Sequence, residues 1–149
     1  GFDESFFAHM EEIDLCWRIQ SEGYKNYCVP KSKVYHLGGG TLGYNSPTKT
    51  YLNFRNNLVM ILKNESLAFL IIKLPLRIIF DIVASFSFLI IKKSLFHFAA
   101  IYKAYFSFIL RAPKILLNKK NYNRKNSMRI NLIIPINYYL KGKKRFSDL

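Results

Sequence analysis

The stretch FFAHMEEIDLCWR, residues 6–18, sets three carboxylates, Glu11, Glu12 and Asp14, among Phe6, Phe7, Met10, Ile13, Leu15, Cys16 and Trp17. A solvated helix face ordinarily intersperses its charges with other polar residues and keeps its apolar side chains opposite. Carboxylates held against hydrocarbon have altered basicity, and catalytic sites are often built that way. Met10, Ile13 and Trp17 fall at i, i+3 and i+7. That spacing predicts one helix from about Ser5 to Glu22, with its apolar stripe along those three side chains.

The chain on the C-terminal side of this stretch reads as mixed α and β. Gly23 is placed to end the first helix in a left-handed conformation. Tyr24 to Val29 reads as a strand stopped by Pro30, and Val34 to Leu37 as a second short strand. Gly38, Gly39 and Gly40 follow as a loop without the spacing of a dinucleotide fingerprint or a P-loop. Ser46-Pro47 starts another helix, Ser as N-cap and Pro at the first helical position, with Tyr51, Phe54, Leu58 and Leu62 on its apolar face and its end near Asn64. Residues 66–110 are almost continuously apolar and aromatic. Lys73, Arg77 and Asp81 interrupt them at four-residue intervals, which places them on one helix face. Lys92-Lys93 divides the region into two arms.

Charge divides the chain as well. Of its 149 residues, half are hydrophobic, and the formal net charge is +14. Residues 1–65 hold seven acids and seven bases, whereas beyond them sixteen Lys and Arg face only Asp81 and Asp148. A balanced, globular-looking half is thus joined to a basic, apolar one. Cys16 and Cys28 form no CxxC pair and read as reduced thiols, not a disulfide framework or a zinc site. The opening GFDE, with no initiator Met, reads as a segment cut from a longer chain.

The run GFDESFFAHMEEIDLCWRIQSEGYKNYCVPKSKVYHLGG, with the Arg55-Asn56 helix after it, resembles the end of the catalytic domain of family-two inverting glycosyltransferases. More narrowly, it resembles the rhamnosyltransferase-type enzymes of bacterial surface polysaccharide synthesis. The resemblance covers residues 1 to about 64. It implies an α/β fold class: the C-terminal remnant of a GT-A domain (residues 1–65), followed by an α-helical membrane-associating extension (66–110) and a basic tail (111–149).

The resemblance also assigns roles. A sugar passes from a nucleoside diphosphate to an acceptor hydroxyl, and a carboxylate takes the hydroxyl proton as the bond forms. Glu12, second of the acidic pair, occupies the base position. Glu11, Asp14, Trp17 and Arg18 fall on the acceptor or diphosphate side. Asp14 can hold Arg18 at i+4, and Arg18 can pair with Asp14 or reach a phosphate. Trp17 is either core or a sugar-stacking platform. A divalent cation, Mg or Mn, would absorb the charge of the leaving diphosphate in the intact parent enzyme, with His36 as a candidate ligand. The Asp-x-Asp motif of such enzymes is absent from these 149 residues and is expected in a preceding half.

The expected partners are a nucleotide sugar, a saccharide or lipid-linked acceptor, and membrane lipid, with no nucleic acid. A transmembrane helix needs about 20 predominantly apolar residues. The longest charge-free run of the 66–110 region, Ile82 to Ile91, has ten. Two interfacial helices on the cytoplasmic face of the inner membrane are therefore expected ahead of a single span. The alternative is a basic membrane-associated or nucleic-acid-binding module without catalysis. Against nucleic acid, the positive excess lies among long aliphatic runs and not on a polar face with spaced aromatics.

Overall fold

The computed structural model describes residues 1–35, 42–43, 45–119 and 142. A 3₁₀ turn, Glu4–Phe6, leads into four helices: α1 (Glu11–Ser21), α2 (Pro47–Asn64), α3 (Leu67–Ile90) and α4 (Leu95–Leu117). No strand occurs among the described residues, so the α/β expectation is corrected to all-α. The two segments expected as strands explain why. Tyr24, Tyr27, Val29, Val34 and Tyr35 are all exposed, with no neighbouring strand among the described residues to exchange backbone hydrogen bonds. An extended segment without such a partner is not a strand. The glycine triplet, His36 and most of the basic tail lie outside the described residues.

The single helix expected from Ser5 is also corrected. The chain makes its 3₁₀ turn, passes through a tight loop over residues 7–10, and enters α1 only at Glu11. The C-terminal end follows expectation. Gly23 takes φ +91°, and the bonds Gly23 N–H to Gln20 O (3.0 Å) and Tyr24 N–H to Ile19 O (3.1 Å) close the helix. That is the paired bonding of a left-handed glycine cap. α2 begins at Pro47 and ends at Asn64, as its sequence signals, although the Ser46 hydroxyl makes no capping bond.

α2 is the central element. It packs chiefly on α4, while α1 rests on α2 and α3 on α4. One core cluster joins Phe6, Trp17, Val59 and Met60, with Met10, Phe108 and Ile115 against it. A second joins Ile61, Leu62 and Leu70, sharing Phe108 and Ile115 with the first. Ile115 sits past residue 110, so the helical arm and its packing continue into what composition alone marks as tail.

α3 and α4 are the two arms on either side of Lys92-Lys93, where Lys93 takes φ +48°. The Lys73, Arg77 and Asp81 stripe of α3 faces inward. Lys73 pairs with the buried Glu65. Arg77 Nε donates to Asp81 Oδ1 (2.7 Å) and its Nη1 to Asn57 Oδ1 (2.6 Å), while Tyr105 Oη donates to Asp81 Oδ2 (2.8 Å). Burial raises the Tyr105 phenol above its ordinary range, and its bond to the Asp81 carboxylate pushes in the same direction. With the polar stripe inside, Ile71, Ile72, Ile79, Val83 and Ile90 of α3 stand exposed. Among the described residues no helix is long and apolar enough to cross a membrane.

Candidate functional site

The three acids of the opening stretch all fall in the first turn of α1, where burial separates them. Glu11 and Glu12 are its first two residues, where carboxylates favour the helix dipole. Glu12 is exposed, so no hydrocarbon wall surrounds it. Glu11 is half-buried, and its Oε2 lies buried without a hydrogen-bond partner among the described residues. His9 Nε2, just ahead of the helix, is in the same position.

Asp14 is fully buried. Arg18 Nε donates to its Oδ2 at 2.8 Å, and Asn64 Nδ2 donates to its Oδ1 at 2.8 Å. Lys63 Nζ stands 3.1 Å from the same Oδ1 and 2.6 Å from Asp3 Oδ2. A buried carboxylate is tolerated only with such partners. Asp14 therefore ties α1 to α2 and reaches no open surface. Burial pushes the Asp3 carboxyl up, but hydrogen bonds from Lys63 and Ser5 outweigh it and bring the pKa down to about 2.

Of the two readings of Trp17, the structure selects the core: it is 1% exposed, among Phe6, Val59 and Met60. It displaces Ile13, which is 40% exposed, from the buried stripe. The stripe that α1 buries is Asp14, Trp17 and Ser21. Of the two readings of Arg18, the pairing with Asp14 is the one seen. The side chain also donates from Nη2 to Gly1 O (2.9 Å) and lines an open cleft.

That cleft, of about 720 Å³, lies between the N-terminal turn, α1, α2 and α4. Arg18, Lys63, Arg111, Lys114 and Lys119 line it, with Asp3 as the acidic counterweight. Its chemistry suits an anion. Glu11 and Glu12 are not part of its wall.

Sequence reasoning gave Arg55 and Asn56 no role of their own, yet both are buried and both bind the loop that leads into α1. Asn56 Nδ2 donates to the carbonyls of Phe6 (2.9 Å), Ala8 (2.7 Å) and His9 (2.9 Å). Arg55 Nη2 donates to those of Ser5 (3.2 Å) and Phe6 (3.1 Å). The signal that could have found them is two adjacent polar side chains at positions that the apolar pattern of α2 does not explain.

The implied divalent cation finds no donor set here. Among the described residues no three His, Cys, Asp or Glu side chains stand close enough to hold a metal ion, and His36 lies outside those residues. The two cysteines are free, Cys16 half-buried and Cys28 exposed. Comparison of the chain with protein-family models, with curated proteins and with solved structures finds no match.

Proposed function

We propose that this chain carries the catalytic base of an inverting sugar transferase that works at a membrane surface. The observation that carries the reading is Glu12, the exposed member of an acidic pair whose neighbour Asp14 is wholly committed to structure. In the reaction, an acceptor hydroxyl oxygen attacks the anomeric carbon of a nucleoside-diphosphate sugar. Its proton passes to the Glu12 carboxylate, and the sugar–phosphate bond breaks with its electron pair leaving on the diphosphate. The configuration at the anomeric carbon inverts. Glu11, at the same helix terminus, orients the acceptor side.

The inside-out character of α3 supports the membrane part. Its outward isoleucines, with Leu95 and Phe96 at the start of α4, would rest in the headgroup–acyl boundary on the cytoplasmic face, and Lys92 and Lys93 would meet anionic headgroups. The cationic cleft would face phosphate. A lipid-linked saccharide is the acceptor this arrangement suits.

The test is transfer of labelled sugar by the intact gene product in the presence of anionic vesicles. Glu12→Gln keeps the shape and removes the basicity, so turnover should fall about 10²–10⁴-fold with little change in donor binding. Near-full turnover in Glu12→Gln, with Asp14→Asn inactive yet folded, would overturn the assignment.

A further inference from the structure

Phe7 (φ +63°), His9 (φ +70°) and Met10 (φ +73°) place three non-glycine residues of a four-residue loop at positive φ. Such conformations are uncommon for residues with a Cβ, and they persist only where the surroundings over-determine them. Here the surroundings can be named. A single amide, Asn56 Nδ2, faces three loop carbonyls, and the Arg55 guanidinium faces two. Arg55 Nε also donates to Asn56 Oδ1 at 2.8 Å. That bond fixes which way the amide points, because the flipped amide would set an oxygen against three carbonyl oxygens and an N–H₂ against a guanidinium.

The loop ends where α1 begins. Met10, the residue before the helix, is itself left-handed and offers no side-chain cap. Its carbonyl accepts the bond from Asp14 N–H at 2.9 Å, and Glu11 and Glu12 follow at once. The loop geometry therefore determines where the acidic pair stands. Asp14, held by Asn64 from the same face of α2, fixes the rotation of α1 about its axis.

We propose that Arg55 and Asn56 are positioning residues: they clamp the 7–10 loop in its left-handed form and so aim Glu12 at the acceptor. The proposal rests on the reading of Glu12 as the base. A misplacement of about 1 Å can cost roughly 10²-fold in rate, which is the scale a lost clamp should show.

The experiment compares the intact gene product with its Asn56→Ala, Arg55→Lys and Glu12→Gln variants. It measures sugar-transfer kcat and KM, and amide hydrogen exchange over residues 7–14. Asn56→Ala should lower kcat about 10²-fold with donor and acceptor KM within about threefold, and should speed local exchange more than tenfold while distant helices stay protected. Arg55→Lys keeps the charge and loses the forked donor, so it should fall between. If Asn56→Ala does not fold, Arg55→Lys decides: wild-type kcat and exchange would overturn the proposal. So would fast local exchange with unchanged kcat while Glu12→Gln is inactive, or unchanged exchange in Asn56→Ala. Full turnover in Glu12→Gln would overturn the base reading and, with it, the aim assigned to the clamp, whereas the exchange result would still report whether the clamp holds the loop.

Discussion

α2 and α3 are both long and both rich in aliphatic residues, yet they put their apolar surface in opposite places. α2 buries Leu52, Leu58, Val59, Met60, Ile61 and Leu62 between its neighbours. α3 buries one leucine, Leu70, with Lys73, Asp81 and Ser85, and turns Ile71, Ile79 and Val83 outward at 76%, 57% and 60% exposure. α2 is what hydrophobic burial in water produces. α3 holds to the rest by Leu70 and Leu74 near its start and by polar contacts, which strengthen in a low-dielectric interior, and leaves an exposed hydrocarbon face. In the proposed reading a bilayer surface would cover it without demanding a span.

Substituting one apolar side chain in each helix tests the contrast most directly. Leu58→Ala should destabilise the chain in water by about 3 kcal/mol, the usual cost of a core cavity. Ile79→Ala should change it by less than about 0.5 kcal/mol, as exposed sites do. On anionic vesicles the order should reverse: Ile79→Ala removes three carbons, and at about 0.8 kcal/mol for each one buried in lipid the loss should weaken binding by up to about 60-fold. Denaturant titration and vesicle co-sedimentation read the two effects. If Ile79→Ala proved as destabilising as Leu58→Ala, protein and not lipid would cover α3.

The turn between the arms should respond to charge alone. Each Lys near an anionic leaflet contributes about 1 kcal/mol, so Lys92→Gln with Lys93→Gln should weaken binding about 30-fold on anionic vesicles. On neutral vesicles the double variant should match the parent. A loss on both would mean that the turn had changed shape, and the electrostatic part of the membrane reading would fail.

Much of this was legible in the sequence. The ends of α2 followed from Ser46-Pro47 and the fading pattern at Asn64, and the break at Lys92-Lys93 from charge. The four-residue spacing of Lys73, Arg77 and Asp81 placed them on one face, although not on the inner one. What failed did so where long-range contacts decide. Residues 5–10 carry a helical pattern, but Arg55 and Asn56, about fifty residues away, hold their carbonyls and turn them into a loop. Tyr24 to Val29 has the composition of a strand and no partner to pair with among the described residues. Of the candidate site, the acidic pair could be read directly. That Asp14 would be swallowed by Arg18, Lys63 and Asn64 could not, because two of those partners come from α2.

The smallest expected effect concerns Asp3, at the mouth of the cationic cleft, where α1 and α2 meet water. Its pKa is lowered from 3.8 to about 2, because bonds from Lys63 and Ser5 outweigh the opposing effect of burial. A carboxylate that is more acidic when folded stabilises the fold while it is ionised in both states, so its contribution is full above about pH 4. It fades as pH falls from 3.8 toward 2, when the folded form must also take up the proton. Asp3 is partly open to solvent, so screening limits the contribution to that of a surface pair, under about 1 kcal/mol. Asp3→Asn should therefore lower the melting temperature by about 2–4 °C at pH 6, and the difference should close by pH 2. High salt should narrow it as well. A gap that stayed constant from pH 6 to pH 2 would mean that Asp3 acts through its turn geometry with Ser5 and not through Lys63. Vesicle binding at pH 7 should be unchanged in Asp3→Asn if the α3 face, and not the α1–α2 end, is what meets the lipid.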